Sequence, residues 1–227
     1  MPSESDLIMN KSLKEIDSTE CAPPCGLTNP SIFCYMNASL QCLLSIGSLV
    51  KYYREKCYRN NKNQNTISRN QKASTAFRSI IKHMFQAGRY KYIEGDEIRS
   101  VMSRFLNPQV QQDAHEFIIK FLSLLQDEEN SKLMKPKNPL KTAEEVWLYY
   151  KSFNRSLIDE LFAGLYSNEV RCHQCNNVSF AYDPFIDINL PISSDEDENR
   201  KSMLSLMNKF FMEEVINYLD NSCIFRI

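Results

Sequence analysis

The apolar residues change from helical to strand period near Ala163, and that change points to a chain whose first part is helical and whose second part is rich in strands. Before it, large apolar side chains recur at helical spacing. From Cys34 to about Arg54, the set Met36, Leu40, Leu43, Leu44, Val50 and Tyr53 predicts one mostly buried helix, with Gly47 a tolerated interruption. After the polar run Arg59 to Asn70, which reads as a loop, the stripe Ala76, Phe77, Ile80, Ile81, Met84 and Phe85 predicts a second helix ending near Gly88. A short helix follows Gly95 and Asp96 and is stopped by Asn107 and Pro108. Asp113 is placed to cap the next, whose inward face is Phe117, Ile118, Phe121, Leu122 and Leu125. Thr142 with Glu145 fits a capping box opening a further helix through Trp147 to about Phe153.

Beyond Ala163 the residues Leu165, Ser167 and Glu169, then Val178, Phe180 and Tyr182, then Phe185 to Leu190, alternate as strands do, with Asn176 and Asn177 as a turn. The acidic run Asp195 to Glu198 reads as a solvated loop, and Met203 to Leu219 returns to a helix-like pattern. The fold class is therefore α+β.

Charge excludes some functions. The 27 Lys and Arg nearly cancel the 28 Asp and Glu, so a general binder of nucleic acid or of an anionic membrane is disfavoured. No apolar run approaches the roughly 18 residues that cross a bilayer, and Met1 to Glu20 is polar where a secretory signal would be greasy. The expectation is a cytoplasmic or nuclear protein whose residues 1–25 form a flexible tail. In a reducing compartment its eight cysteines are thiols or metal ligands rather than a disulfide framework.

Cys34 stands where a buried helix is predicted to begin. Unsatisfied backbone N–H groups there favour negative charge, and hence thiolate, so Cys34 is a plausible nucleophile. Position alone favours the plainer reading, a buried structural thiol, since free cysteine is among the most buried residue types.

The residues around it decide more. Gly26, Leu27 and Asn29, followed by Cys34-Tyr35-Met36-Asn37-Ala38 and by Leu40, Gln41 and Leu43, resemble the cysteine box of the ubiquitin-specific proteases; Ser31, Ile32 and Phe33 replace its usual Gly-Asn-Thr. Gln111-Gln112-Asp113-Ala114-His115-Glu116-Phe117 is similar to a second box of that family. Trp147, Phe162-x-Gly164, Glu169 and Cys172-x-x-Cys175, then Phe185 to Pro191, resemble its passage from thumb into palm and fingers. The resemblance implies a papain-like fold, with a helical thumb at 26–162 and the start of a β-rich palm and fingers at 163–227. It implies thiol-dependent hydrolysis of the bond after ubiquitin's C-terminal glycine, on ubiquitin and ubiquitinated proteins. Cys34 would be the nucleophile, and Asn29 the amide donor to the oxyanion. Asp113, with Gln112 beside it, would bind the arginines of ubiquitin's tail.

Catalysis of this kind requires no cofactor, but a structural zinc ion is implied. Cys172 and Cys175 would supply one knuckle and Cys223 would begin a second, where structural zinc normally takes four ligands. The site expected is incomplete or weak. His173 lies inside the knuckle, and His115 does not make a zinc-protease motif because Ile119 stands where H-E-x-x-H needs its second histidine. None of His83, His115 and His173 matches the family's histidine box, the source of the base that a papain-like thiol needs. The expectation is a domain truncated before that box, with little or no turnover by itself. The rivals are a ubiquitin-binding pseudoenzyme, an enzyme completed by a separate histidine donor, and a zinc-supported interaction module without a ubiquitin role.

Overall fold

A computed structural model describes residues 25–60, 72–85, 92–130, 139–172, 175–190, 202–213, 215–216 and 225–226. All of the expected tail but Cys25, most of the Arg59 to Asn70 loop, Gly88, His173, the run Asp195 to Glu198 and Cys223 lie outside these residues. The described chain is mixed helix and strand: helices dominate before Ala163 and the two long strands follow it, but two-residue strands at Gly26–Leu27 and Tyr92–Ile93, which the sequence did not predict, lie before and among the first helices. It forms two compact units, one drawn from Met1–Asn130 with Ser156–Ile158, the other from Ser131–Arg155 with Asp159–Ile227.

The first unit contains β1 (Gly26–Leu27), α1 (Cys34–Leu44), α2 (Gly47–Asn60), α3 (Lys72–Phe85), β2 (Tyr92–Ile93), α4 (Asp96–Met102) and α5 (Ala114–Asp127). The single helix expected from Cys34 to Arg54 is two helices. Ser45 turns its hydroxyl back to the Cys42 carbonyl at 2.7 Å, and Ile46 N–H bonds the Leu43 carbonyl at 3.1 Å, tightening the last turn before Gly47 restarts the helix. Both halves still bury the predicted face, Met36, Leu40, Leu43 and Leu44 from α1 and Val50 and Tyr53 from α2. The second helix continues to Asn60, so Arg59 and Asn60 are helical rather than loop.

A row of ring contacts runs through this core. Tyr35 meets Phe117 edge-on at 5.9 Å, Phe117 stacks on Phe121 at 5.7 Å, Phe121 meets Phe77 at 5.6 Å, and Phe77 meets Tyr53 at 5.2 Å. Each such pair is worth about 0.5–1.5 kcal/mol beyond area burial, so the row ties α1, α5, α3 and α2 together beneath the residue next to Cys34. Glu128, just past α5, accepts the N–H groups of Ala73 and Ser74 at 2.7 and 2.9 Å, a carboxylate cap on the first turn of α3.

The second unit contains α6 (Ala143–Phe153), most of α7 (Leu157–Phe162), β3 (Gly164–Cys172), β4 (Val178–Phe185), α8 (Met203–Phe210), β5 (Val215–Ile216) and β6 (Phe225–Arg226). The capping box opening α6 forms as expected: Thr142 Oγ1 accepts from Glu145 N–H, and Glu145 Oε2 accepts from Thr142 N–H. The strands lie in the order β4-β3-β6-β5, each pair antiparallel. Asn176 takes a left-handed φ of 55° in the turn between β3 and β4, a conformation asparagine tolerates better than most residues.

Two expectations fail here. The strand expected over Phe185 to Leu190 ends at Phe185. Its last partner is Gly164, and the chain just before Gly164 is helix α7, so among the described residues those beyond Phe185 have no strand to pair with. Tyr166 instead donates its hydroxyl to the Asp187 carbonyl at 3.2 Å. The helix expected over Met203 to Leu219 ends at Phe210, and the β-branched pair Val215–Ile216 joins β6.

Candidate active site

Cys34 is the first residue of α1 and is exposed. Its position depends on the lead-in chain, which is held at several points. β1 pairs in parallel with β2, Gly26 opposite Tyr92 and Leu27 opposite Ile93, and Thr28 N–H bonds the Ile93 carbonyl at 3.0 Å. From the helix side, Asn37 Nδ2 donates to the Leu27 and Thr28 carbonyls at 3.4 and 3.1 Å, and Gln41 Nε2 donates to the Cys25 carbonyl at 2.9 Å. Asn37 and Gln41 lie four residues apart, one turn of the helix, so they clamp the lead-in from a single face.

The clamp sets Asn29. Its Oδ1 accepts the Phe33 N–H at 3.1 Å, which puts the amide on the backbone N–H of the residue before Cys34 and leaves Nδ2 as a donor. Phe33, at the N-cap, offers no side-chain bond to the helix. Its ring lies 5.0 Å from the Arg99 guanidinium, which is ion-paired with Asp96. An open hollow of about 520 Å³ adjoins Asn29, lined among others by Tyr92, Glu94, Asp96 and Arg99.

The second box reaches the same cysteine from α5. Gln111 Nε2 donates to Cys34 Sγ at 3.5 Å. Gln112 is turned to the Asn107 carbonyl at 3.0 Å, within its own loop. Asp113 is the N-cap of α5, accepting the Glu116 N–H at 2.9 Å, as its sequence position predicts. Ser39 Oγ bonds both the Tyr35 and Ala114 carbonyls, at 2.7 and 3.2 Å, fastening the start of α5 to α1. Burial, and secondly the charge that Cys34 carries when ionised, push the Tyr35 hydroxyl above its usual value.

The first unit therefore brings Cys34, Asn29 and the Gln111 to Asp113 segment to one place. The contact of Gln111 with sulfur, and the clamp made by Asn37 and Gln41, were invisible in the sequence except as members of the two boxes. His83 is exposed in the last turn of α3 and His115 is exposed in the first turn of α5. In the second unit, Cys172 ends β3 and is buried at 1% exposure, while Cys175 is exposed in the turn. Among the described residues no group of three or more His, Cys, Asp or Glu side chains gathers as a metal site. Two thiolate donors do not make a tetrahedral zinc centre, so the described residues do not by themselves fit the structural ion that the knuckle suggests.

Residues 25–218 match the model of a family described as ubiquitin carboxyl-terminal hydrolase. The chain belongs to the ubiquitin carboxyl-terminal hydrolase family. It is 30% identical over 182 residues to ubiquitin carboxyl-terminal hydrolase 15 of Xenopus tropicalis, covering 74% of this chain and 18% of that protein. It is 30% identical over 189 residues to probable ubiquitin carboxyl-terminal hydrolase 1 of Schizosaccharomyces pombe, covering 74% of this chain and 22% of the other. Drosophila melanogaster Usp2 is 27% identical over 202 residues, 85% of this chain and 21% of the relative. The matched region spans about a fifth of the length of these curated relatives. Membership in this hydrolase family makes the α+β fold papain-like, and the match from 25 to 218 runs through both compact units.

Proposed function

We propose that this chain is a cysteine-type deubiquitinase, acting on the bond after ubiquitin's C-terminal glycine in ubiquitin conjugates. The observation that carries the proposal is the exposed Cys34 at the head of α1, with the Asn29 amide bonded to the N–H of the preceding residue and the Gln111 amide on its sulfur. In the proposed cycle the Cys34 thiolate attacks the glycine carbonyl carbon and the carbonyl oxygen becomes an oxyanion. Asn29 Nδ2 and the unsatisfied N–H groups of the first turn of α1 stabilise that charge. The C–N bond breaks, the amine leaves with a proton, and water then hydrolyses the thioester. Asp113 keeps a carboxylate oxygen for an arginine of the ubiquitin tail while its other oxygen caps α5.

Proton transfer limits this chemistry. An imidazole should take the thiol proton and return it to the leaving amine; among the described residues the hydrogen bond on Cys34 Sγ is with the Gln111 amide, which cannot act as a base. Loss of the histidine from a nucleophile–base unit costs on the order of 10⁶-fold in turnover. Residues 1 to 227 taken alone are therefore proposed to bind ubiquitin and present a reactive thiol while turning over slowly. The same observation favours the second reading, a ubiquitin-binding pseudoenzyme.

The experiment is release of a fluorophore from the ubiquitin C-terminus by residues 1 to 227, alongside ubiquitin affinity, Cys34→Ala, and alanine variants of His83, His115 and His173. Measurable affinity with slow release supports the proposal. Robust release that depends on Cys34 and on one of those histidines would overturn the slow-turnover reading. Absence of both affinity and release would leave only the zinc-supported interaction module.

Cytoplasmic or nuclear residence belongs to the same proposal, supported by the balanced charge; among the described residues no helix is long and apolar enough to cross a membrane. Zinc, if bound by Cys172 and Cys175 with Cys223, is proposed to be held weakly. Elemental analysis should find less than one zinc per chain, removable by a mild chelator; one zinc per chain retained through chelation would contradict this.

A further inference from the structure

We infer that Gln111 is a positioning residue for the nucleophile, holding the Cys34 sulfur by an amide N–H before substrate arrives. The inference rests on the reading of Cys34 as the nucleophile and adds a residue to that site. Three observations support it. The Nε2 to Sγ contact of 3.5 Å is the hydrogen bond that the structure gives the Cys34 sulfur, and it joins residues 77 apart in sequence. A sulfur acceptor is large and its bonds are long, and an amide N–H bonds a charged sulfur more strongly than a neutral one.

The backbone carrying Gln111 is also fixed on its C-terminal side. Gln112 is tied to the Asn107 carbonyl at 3.0 Å, Asp113 caps α5 through Glu116 N–H at 2.9 Å, and Ala114 is bonded to Ser39 of α1 at 3.2 Å. These bonds hold the Gln111 side chain in register with the first turn of α1, so its amide is set without help from a ligand. Asn29, finally, is bonded through its own oxygen to the Phe33 N–H, so two side-chain amides converge on consecutive residues with separate tasks. One steadies the attacking sulfur, and the other is left to meet the oxyanion.

The test follows alkylation of Cys34 by iodoacetamide as a function of pH, read by mass spectrometry of the Cys34 peptide, in wild type, Gln111→Leu and Gln111→Glu. The ionisable groups on the elements around Cys34, namely Tyr35 on α1, Asp96 and Arg99 on α4, and Asp113, His115 and Glu116 at the start of α5, are common to all three proteins. A hydrogen bond to a charged partner is worth roughly tenfold or more. Gln111→Leu should therefore lower the rate at pH 7 about tenfold. It should move the profile to higher pH without lowering the limiting rate at high pH, since a more basic thiolate is the better nucleophile.

Gln111→Glu is nearly isosteric and places an anion beside the thiolate, so it should shift the profile further in the same direction. Circular dichroism confirms folding, and if the leucine variant does not fold, the glutamate variant alone reads the shift. Superimposable profiles would overturn the inference. So would an equal fall in rate at every pH, which would mark a packing role without preference for the thiolate. Iodoacetamide needs no ubiquitin. If the profiles separate as stated while a ubiquitin-based electrophile leaves Cys34 unmarked, the functional reading fails and the role of Gln111 stands.

Discussion

The ring of Phe185 lies across Gly164, so close that a Cβ built on the glycine would overlap the ring's outer edge. The two residues are partners in the β3–β4 ladder, and Tyr166 stacks on the same ring at 4.1 Å. Glycine is therefore required at the residue where helix α7 has just ended and the sheet begins. Gly164→Ala should displace Phe185 from its stack and lower stability by about 1–3 kcal/mol, the usual range for overpacking. Urea unfolding measures it. Phe185→Leu in the same background should restore part of the loss, and additive effects of the two changes would contradict the contact.

Asp113 serves two ends that one substitution separates. Asparagine caps helices about as well as aspartate, so Asp113→Asn should change stability little, whereas Asp113→Ala should cost about 0.5–2 kcal/mol. If the carboxylate also pairs with arginines of the ubiquitin tail, both variants should weaken ubiquitin binding in a salt-dependent way. Unchanged affinity in the asparagine variant would reduce Asp113 to its capping role.

Much of this was legible because it is local. The capping box of Thr142 and Glu145, the Asp113 cap and the stripe of α3 each depend on residues within one or two turns, so spacing alone finds them. The misplaced boundaries depend on distant partners. Nothing near Ile186 or Val215 says that the first has no strand partner among the described residues and the second has β6. The break at Ser45 lay between, visible in retrospect as a hydroxyl two residues before a glycine. At the site, two boxes identified the neighbourhood of Cys34, but the amide on its sulfur comes from 77 residues away and no periodicity predicts it.

Glu145 provides a test by pH. N–H groups of Lys141 and then Thr142 bond its carboxylate and hold its pKa below the ordinary 4.5. A folded-state value below the unfolded one means that the ionised cap stabilises above the unfolded value, and that this stability is lost as pH falls through the folded value. The advantage of wild type over Glu145→Gln in thermal unfolding should be full at pH 7. It should shrink as the pH drops below 4.5. An advantage independent of pH would show that the charge plays no part in the cap.

The central claim is that Cys34 is a nucleophile addressed by ubiquitin, and a ubiquitin bearing an electrophile at its C-terminus tests it most directly. The folded chain should form one covalent adduct that peptide mapping places on Cys34, and Cys34→Ala should abolish it. An adduct on Cys42, or one that persists in Cys34→Ala, would contradict the assignment of the nucleophile.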